Sequence, residues 1–152
     1  MKLLRATAAE CAAMAQAHAR AFEAKAWRED EFADLLEGEG IFGFLAEDET
    51  PLGVILCRVA AGEVEILTVG VTPAARRRGV ALALMIAGLD QAREAGAAQA
   101  FLEVAVDNDG AIALYGLMGF APTGLRKSYY DRGPDGFTDA LVMRLDLNAA
   151  AA

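Results

Sequence analysis

Three consecutive arginines, Arg76, Arg77 and Arg78, stand directly before Gly79 in a chain that is otherwise acidic. The residues before them have the apolar pattern of a strand, and the residues after Gly79 have the pattern of a helix. The first N–H groups of a helix have no partner within it, and the helix dipole places partial positive charge there. A strand, a basic loop and a helix start in this order therefore form a candidate anion site, which a pyrophosphate would suit.

A second interpretation of this loop stays open, a solvated basic turn that only caps a helix. The P-loop of nucleotide hydrolases is excluded, because no Lys-Ser or Lys-Thr pair follows Gly79. The dinucleotide-binding fingerprint is excluded as well, because only one of its glycines is in place. The loop by itself does not decide between an anion site and a basic turn.

The loop and the motifs after it together resemble the GNAT N-acetyltransferase superfamily. Arginines followed by Gly79 and Ala81 are similar to its pyrophosphate motif, Gln/Arg-x-x-Gly-x-Gly/Ala. Further matching motifs are Leu102-Glu103-Val104, Asn108, Ala111-Ile112-Ala113-Leu114-Tyr115, Gly119-Phe120 and Tyr129-Tyr130. The resemblance runs from Val69 to about Leu145 and looks closest to the bacterial ribosomal-protein alanine N-acetyltransferases. Before Glu63 only the order of elements matches.

The resemblance implies direct transfer of an acetyl group from acetyl-CoA to a primary amine. The backbone N–H of Val71 would hold the thioester carbonyl, and the pantetheine arm would run along residues 69–71 like an added strand, with Gly70 allowing its close approach. The implied cofactor-binding residues are Val69, Gly70, Val71, Arg76, Arg77, Arg78, Gly79, Val80, Ala81, Leu82 and Asn108. Asn108 could also be only a helix N-cap.

Four positions depart from the pattern that the resemblance implies. Ala81 replaces the second glycine of the loop, and Leu82 stands where the most similar relatives tend to carry arginine. Thr72 replaces a usual aspartate, and Trp27 lacks the proline that usually precedes it. Because of Leu82, the loop lacks one phosphate contact. Because of Trp27, the acceptor end of the site matches the family pattern less well than the cofactor end does.

Two side chains in the resembling segment could move protons during transfer. Glu103 lies in an apolar stretch, where a carboxylate becomes a better proton acceptor for the amine, directly or through a water. Tyr115 carries a phenol that stays protonated at neutral pH, since its ordinary pKa is near 10, and it could donate to the leaving thiolate. The alternatives are a solvent-facing glutamate at a strand end and a core tyrosine; the resemblance favours catalysis for both.

The resemblance implies that the acceptor is the N-terminal α-amine of a (ribosomal) protein; the alternative is a small amine such as a polyamine, an amino acid or an aminoglycoside. A non-catalytic acyl-CoA sensor is a third hypothesis, which would not need Glu103 and Tyr115 together. Candidate acceptor-side residues, each with core packing or local pairing as its alternative, are Phe22, Trp27, Phe32, Tyr129, Tyr130 and Asp139.

Hydrophobic periodicity predicts a mixed α/β (α+β) fold with a central, mostly antiparallel, twisted sheet of about seven strands flanked by about four helices, and the resemblance implies that this fold is of the GNAT type. The predicted strands are 2–5, 41–46, 52–59, 63–71, 100–106, one from Gly119-Phe120 to about 130, and 137–145. The predicted helices are 8–22, 27–36, 79–95 and 108–118. Thr7 and Glu10 would form a capping box, and Leu82, Met85, Ile86 and Leu89 would be the buried face of the third helix. Residues 1–147 are predicted to form one domain, with a frayed tail at 148–152.

Composition restricts the partners and the compartment. The formal net charge is −8 and the isoelectric point is about 4.6, which argues against nucleic acid as the main ligand. Cys11, Cys57 and His18 make no zinc pattern, so the cysteines are predicted to be buried free thiols. No signal peptide or bilayer-length apolar run is visible, which predicts a cytoplasmic protein that binds no membrane. The oligomeric state, monomer or homodimer, stays open.

Overall fold

The computed structural model describes residues 1–148 and shows one seven-stranded sheet with four helices. The strands are β1 (Lys2–Arg5), β2 (Ile41–Glu47), β3 (Pro51–Ala60), β4 (Glu63–Val71), β5 (Gln99–Ala105), β6 (Ala121–Asp131) and β7 (Phe137–Asp146). The helices are α1 (Cys11–Phe22), α2 (Glu29–Leu36), α3 (Val80–Glu94) and α4 (Asp109–Leu117). The predicted fold class and element order are confirmed. Of the predicted frayed tail, residues 149–152 lie outside the described residues.

The strands lie side by side in the order β1-β2-β3-β4-β5-β7-β6. Every neighbouring pair is antiparallel except β4 and β5, as expected for strands that are joined by short turns. Helices α1 and α2 cover one face through a cluster that includes Met14, Phe32 and Leu45. Helices α3 and α4 cover the other face, over the larger cluster of buried apolar side chains. No helix within residues 1–148 has the length and apolar content needed to cross a bilayer.

Local signals fix the start of the first helix as predicted. The Glu10 carboxylate accepts from the Thr7 N–H at 2.7 Å, and the Thr7 hydroxyl accepts from the Ala9 N–H at 3.2 Å. These two bonds satisfy N–H groups that a helix start leaves open. The first turn, Ala8–Glu10, is a 3-10 turn that leads directly into α1. The predicted capping box is therefore confirmed.

The predicted buried face of α3 is wrong for two of its four residues. Met85 and Leu89 are buried, but Leu82 and Ile86 are 40% and 48% exposed. The buried stripe consists of Val80, Leu84, Met85, Gly88, Leu89 and Ala92. A Cβ added at Gly88 would lie 3.1 Å from Cδ1 of Ile55, so the helix approaches the sheet along the glycine. This close approach turns Leu82 and Ile86 towards solvent.

Strands β4 and β5 pair over only part of their length. Their parallel register covers three residue pairs, Glu63–Gln99, Val64–Ala100 and Glu65–Phe101, after which the two strands diverge. On the other side of β4 a bulge lies at the same level, because Leu56 pairs with Thr68 while Cys57 pairs with Ile66. A bulge bends its strand. The result is a notch between the carboxyl ends of β4 and β5, with the connections to α3 and α4 on its two sides.

Candidate active site

The loop before α3 presents a run of backbone N–H groups without partners. The first hydrogen bond of the helix runs from the Ala83 N–H to the Gly79 carbonyl at 3.0 Å. Within residues 1–148, the N–H groups of residues 77–82 donate to no protein acceptor, and no side chain caps the helix. Together with the exposed arginines Arg76, Arg77 and Arg78, they form a cradle for an anion. This geometry favours the anion site over a turn that only caps the helix.

Backbone conformation explains the glycine in this loop. Gly79 has φ +76° and Arg77 has φ +65°, both in the left-handed region. A Cβ at Gly79 would meet no heavy atom within 4 Å, so conformation and not space requires glycine there. Arg78 forms an ion pair with Asp48 at 3.7 Å, which leaves Arg76 and Arg77 without an ion pair in the described chain.

The end of β4 offers N–H groups on the side of the notch. The Thr72 N–H donates to the Leu52 carbonyl of β3 at 2.9 Å. Since successive N–H groups alternate sides along a strand, those of Val69 and Val71 point away from β3. At this level β5 has diverged and no longer pairs with them. This edge of β4 is therefore open, and an extended ligand could pair there as an added strand.

The structure gives Gly70 a packing role. A Cβ at this position would lie 2.5 Å from Cε2 of Phe22 and 3.1 Å from Cβ of Ala21. Glycine is therefore required because α1 packs directly on β4, and the close approach of a pantetheine arm at Gly70 stays a prediction. The flanking Val69 and Val71 pack against the larger core cluster.

Asn108 caps α4. Its Oδ1 accepts a hydrogen bond from the Ala111 N–H at 3.2 Å, as an N-cap residue does. The residue lies in the connection between β5 and α4, next to the notch. Its additional contact with a cofactor stays a prediction.

Glu103 lies in the middle of β5 and does not point freely to solvent. Its side chain is 19% exposed, and Nε of Arg126 lies 3.2 Å from its Oε1. The Tyr129 hydroxyl is hydrogen-bonded to the same carboxylate, which raises the pKa of that phenol. The alternative of a solvent-facing glutamate at a strand end is therefore wrong.

Sequence reasoning missed Arg126 and the bulge that follows it in β6. Arg126 pairs with Ala140 and Tyr130 with Thr138, so residues 127–129 of β6 lie opposite Asp139 alone. Ser128 has φ +53°, and its N–H donates to Oδ1 of Asp139 at 2.7 Å. Within residues 1–148 Asp139 forms no ion pair with an arginine, and its contact with an acceptor amine stays a prediction. Arg126 is still in register with β7 and reaches Glu103 across that strand, whereas Tyr129 belongs to the bulge that follows.

Tyr115 packs in the core and still has a free hydroxyl. The residue is 8% exposed, and its ring lies 6.0 Å from the ring of Phe120. Burial, with a smaller contribution from Tyr130, raises the pKa of Tyr115 to about 12. Its hydroxyl forms no hydrogen bond within residues 1–148. Every fully buried side-chain oxygen of those residues does have a hydrogen-bond partner, so the Tyr115 oxygen is not fully buried. The hydroxyl oxygen therefore reaches solvent and is able to donate a proton.

Comparison with known proteins decides the family. The GNAT acetyltransferase family matches residues 8–120. The chain belongs to the GNAT acetyltransferase family. It is 32% identical over 123 residues to the [ribosomal protein bS18]-alanine N-acetyltransferase of Escherichia coli (strain K12), covering 80% of this chain and 82% of the relative. It is 43% identical over 84 residues to N-alpha-acetyltransferase RimI of Mycobacterium tuberculosis, covering 55% of this chain and 51% of that one.

A solved GNAT structure supports the same assignment. The ribosomal-protein-S18-alanine N-acetyltransferase from Escherichia coli superposes with a TM-score of 0.86 at 28% identity, covering 96% of this chain and 93% of that chain. The predicted family, fold and N-acetyltransferase class are confirmed, and acetyl-CoA is the cosubstrate of GNAT acetyltransferases. The open amides of residues 77–82 and the free edge of β4 fit a ligand that carries both a diphosphate and an extended amide arm.

In this GNAT chain a buried histidine joins β4 to the segment between α1 and α2. The Trp27 N–H donates to Nδ1 of His18 at 2.9 Å. The ring proton is therefore on Nε2, which donates to Oγ1 of Thr68 at 2.9 Å. Thr68 lies at the β4 bulge, so His18 fixes the segment between α1 and α2 to that strand. Phe22, Trp27 and Phe32 surround the ring; Phe32 is fully buried, whereas Phe22 is 40% exposed.

The stability of the protein should depend on pH through His18. Burial lowers the pKa of His18 from 6.5 to about 4. Between these two pH values the histidine is protonated in the unfolded chain but stays neutral in the folded protein. Stability is then complete above pH 6.5 and falls as the pH drops towards 4. We expect the free energy of unfolding in urea to be roughly 2 kcal/mol lower at about pH 5 than at about pH 7.5.

His18→Gln is the control for this dependence, because glutamine can replace both hydrogen bonds but does not titrate. Its free energy of unfolding should change little between the same two pH values. The chain contains only one histidine, and the ion-paired carboxyl groups of Asp30 and Asp107 have pKa values lowered from 3.8, so they titrate below this window. An equal loss of stability in His18→Gln would assign the effect to other groups.

Proposed function

We propose that this chain transfers the acetyl group of acetyl-CoA to the N-terminal α-amine of a protein whose first residue is alanine. The observation that carries the proposal is the notch between β4 and β5, which has an anion cradle on one side and a carboxylate beside two tyrosines on the other. The relatives named as alanine N-acetyltransferases support the choice of acceptor.

The donor would be held mainly by backbone groups. The amides of residues 77–82 would bind its diphosphate, with Arg76 and Arg77 supplying charge. The outward N–H groups of Val69 and Val71 would pair with the pantetheine arm and the thioester carbonyl. Asn108 would close the far side of the notch. When bound, acetyl-CoA supplies an activated acyl group whose leaving thiol is easily displaced.

The proton transfers would be divided between two residues. An α-ammonium group, with a pKa of about 7.7–8, must lose a proton before it can attack, and Glu103 would accept that proton directly or through a water. Tyr115 would donate its proton to the departing sulfur. Because burial raises the pKa of Tyr115 to about 12, its phenol keeps that proton throughout the neutral range.

The three loop arginines give a direct test of the donor side. Replacing Arg76, Arg77 and Arg78 together with glutamine should raise the Kd of coenzyme A about tenfold at low salt, because each exposed charge contributes up to about 1 kcal/mol. Binding should not disappear, since the amides remain. The difference in Kd between the variant and the original protein should become smaller at high salt, where such charges are screened. Titration calorimetry at two salt concentrations measures both effects.

Arg93→Gln is the control for charge alone. Arg93 lies in the last turn of α3, far along the same helix from the loop. Its replacement removes a positive charge without touching the cradle, so the Kd should stay within about twofold of the original. A comparable loss in Arg93→Gln would mean that the total charge, and not the loop, determines binding.

A panel of acceptors tests the proposed function itself. Peptides that begin with Ala should be acetylated, whereas the same peptides with a blocked N-terminus and an internal lysine should not. Spermidine, free amino acids and an aminoglycoside complete the panel. Fast turnover of a small amine without turnover of any free N-terminal peptide would replace the proposal by the small-molecule alternative. Tight binding of acetyl-CoA with no turnover of any acceptor would indicate a sensor.

A further inference from the structure

Arg126 places a cation on the carboxylate that the proposed function uses as its proton acceptor. Nε of Arg126 lies 3.2 Å from Oε1 of Glu103. The arginine side chain is 57% exposed, whereas that of Glu103 is only 19% exposed. The guanidinium therefore covers part of the small surface through which Glu103 can be reached.

Several contacts hold Arg126 at this place. Its guanidinium lies over the ring of Tyr129, 5.3 Å from the centroid, and the hydroxyl of Tyr129 is bonded to Glu103. The Asp139 carboxylate fixes the bulge between the two residues through the Ser128 N–H. Arginine, tyrosine and glutamate thus form one arrangement that the backbone of β6 sets, not a chance surface contact.

An incoming amine meets this arrangement as a cation. At neutral pH an α-amine is largely protonated, and its natural counter-charge in the site is Glu103. Two cations on one half-buried carboxylate repel each other, so the ammonium and the guanidinium compete for it. Arginine stays charged at every accessible pH, so deprotonation cannot remove it.

We propose that Arg126 is a specificity-determining residue that occupies the ammonium position on Glu103 until an acceptor displaces it. Acceptor binding is then an exchange of cations, and the displaced guanidinium moves into the adjacent solvent. A small monoamine offers the same single charge as Arg126 and few other contacts, whereas a peptide brings its main chain as well. The arginine thereby selects for acceptors with an extended chain. This inference rests on the proposed role of Glu103.

Steady-state kinetics of Arg126→Gln with an Ala-peptide tests the exchange. Without the competing charge the KM of the peptide should fall about threefold to tenfold, while the KM of acetyl-CoA stays within twofold. The KM of a small monoamine should fall by a larger factor, because it has no main-chain contacts that hold it while the guanidinium is displaced, so the preference for peptide over monoamine should narrow. Arg126→Lys keeps the charge and should retain most of the original KM.

Lys127→Gln is the matched control. Lys127 lies in the same bulge, makes no ion pair within residues 1–148, and its replacement changes the net charge equally. It should leave the KM of the peptide unchanged. In Arg126→Ala, added methylguanidinium should raise the KM of the peptide again, whereas it should have little effect on the original protein.

The outcomes separate this inference from the proposed function. If the original protein acetylates the peptide but its KM is unchanged or higher in Arg126→Gln, the exchange is refuted and the N-acetyltransferase proposal stands. A fall in KM that Lys127→Gln reproduces also refutes it, because general charge then explains the effect. If no peptide or monoamine is acetylated by the original protein, the proposed function fails first. Thermal melting of each variant identifies any loss of folding.

Discussion

Tyr115→Phe should lower kcat by on the order of 10²-fold while coenzyme A still binds with nearly unchanged Kd. Only the hydroxyl is removed, and the ring that packs against Phe120 remains in place. Because the hydroxyl has no protein partner within residues 1–148, its loss leaves no donor or acceptor unpaired, and the melting temperature should stay constant. Stopped assays that follow thiol release measure kcat, and calorimetry measures the Kd.

Tyr130→Phe is the control for this substitution. Tyr130 is close enough to raise the pKa of Tyr115, and its own pKa is also raised to about 12, mainly by burial. Tyr130 lies on β6, whereas Tyr115 lies in α4. The Tyr130 hydroxyl should therefore affect the KM of the acceptor more than kcat. Equal falls in kcat for both variants would remove the special role of Tyr115. An unchanged kcat in Tyr115→Phe would show that the thiolate leaves without an acid.

Glu103→Gln should also lower kcat by on the order of 10²-fold, because glutamine cannot accept the proton of the ammonium. The loss should become smaller at alkaline pH, where more of the amine is already neutral before it binds. The side chain keeps its size and can still accept a hydrogen bond from Tyr129. Rate measurements from about pH 6 to about pH 10 with an Ala-peptide test both statements.

Glu65→Gln controls for the loss of an ion pair. Glu65 pairs with Arg58 at 2.8 Å, as Glu103 pairs with Arg126, but it lies where β4 and β5 are still joined. Its replacement should leave kcat within twofold. A pH-independent loss of rate in Glu103→Gln, matched by Glu65→Gln, would indicate that the ion pair and not proton transfer is responsible.

The sequence predicted those features that depend on neighbouring residues. The capping box of Thr7 and Glu10 and the N-cap at Asn108 both follow from short patterns with a local physical cause. The alternation of strands and helices follows from periodicity in the same way. Together with the family motifs, these signals were sufficient to place Glu103 on a central strand and Tyr115 on the last helix.

Features that depend on distant contacts were not predictable in this way. The orientation of α3 is set by Gly88 against Ile55, and the reason for Gly70 is the ring of Phe22. The bulge at residues 127–129 exists only relative to the register of β7. Arg126 is in register with Ala140 of β7 and reaches Glu103 across that strand, so no pattern within β6 alone could have revealed the pair. Long-range pairing, and not local propensity, decides these positions.

The two halves of the notch are built from different parts of the polypeptide. In the proposed function the donor half consists of main-chain amides at residues 77–82 and the outward edge of β4, which any substitution that preserves the chain path leaves in place. The proposed acceptor half consists of side chains, Glu103, Arg126 and Tyr129 among them. On this proposal, evolution or a protein engineer can exchange the acceptor chemistry of this scaffold residue by residue while the binding of the thioester donor persists.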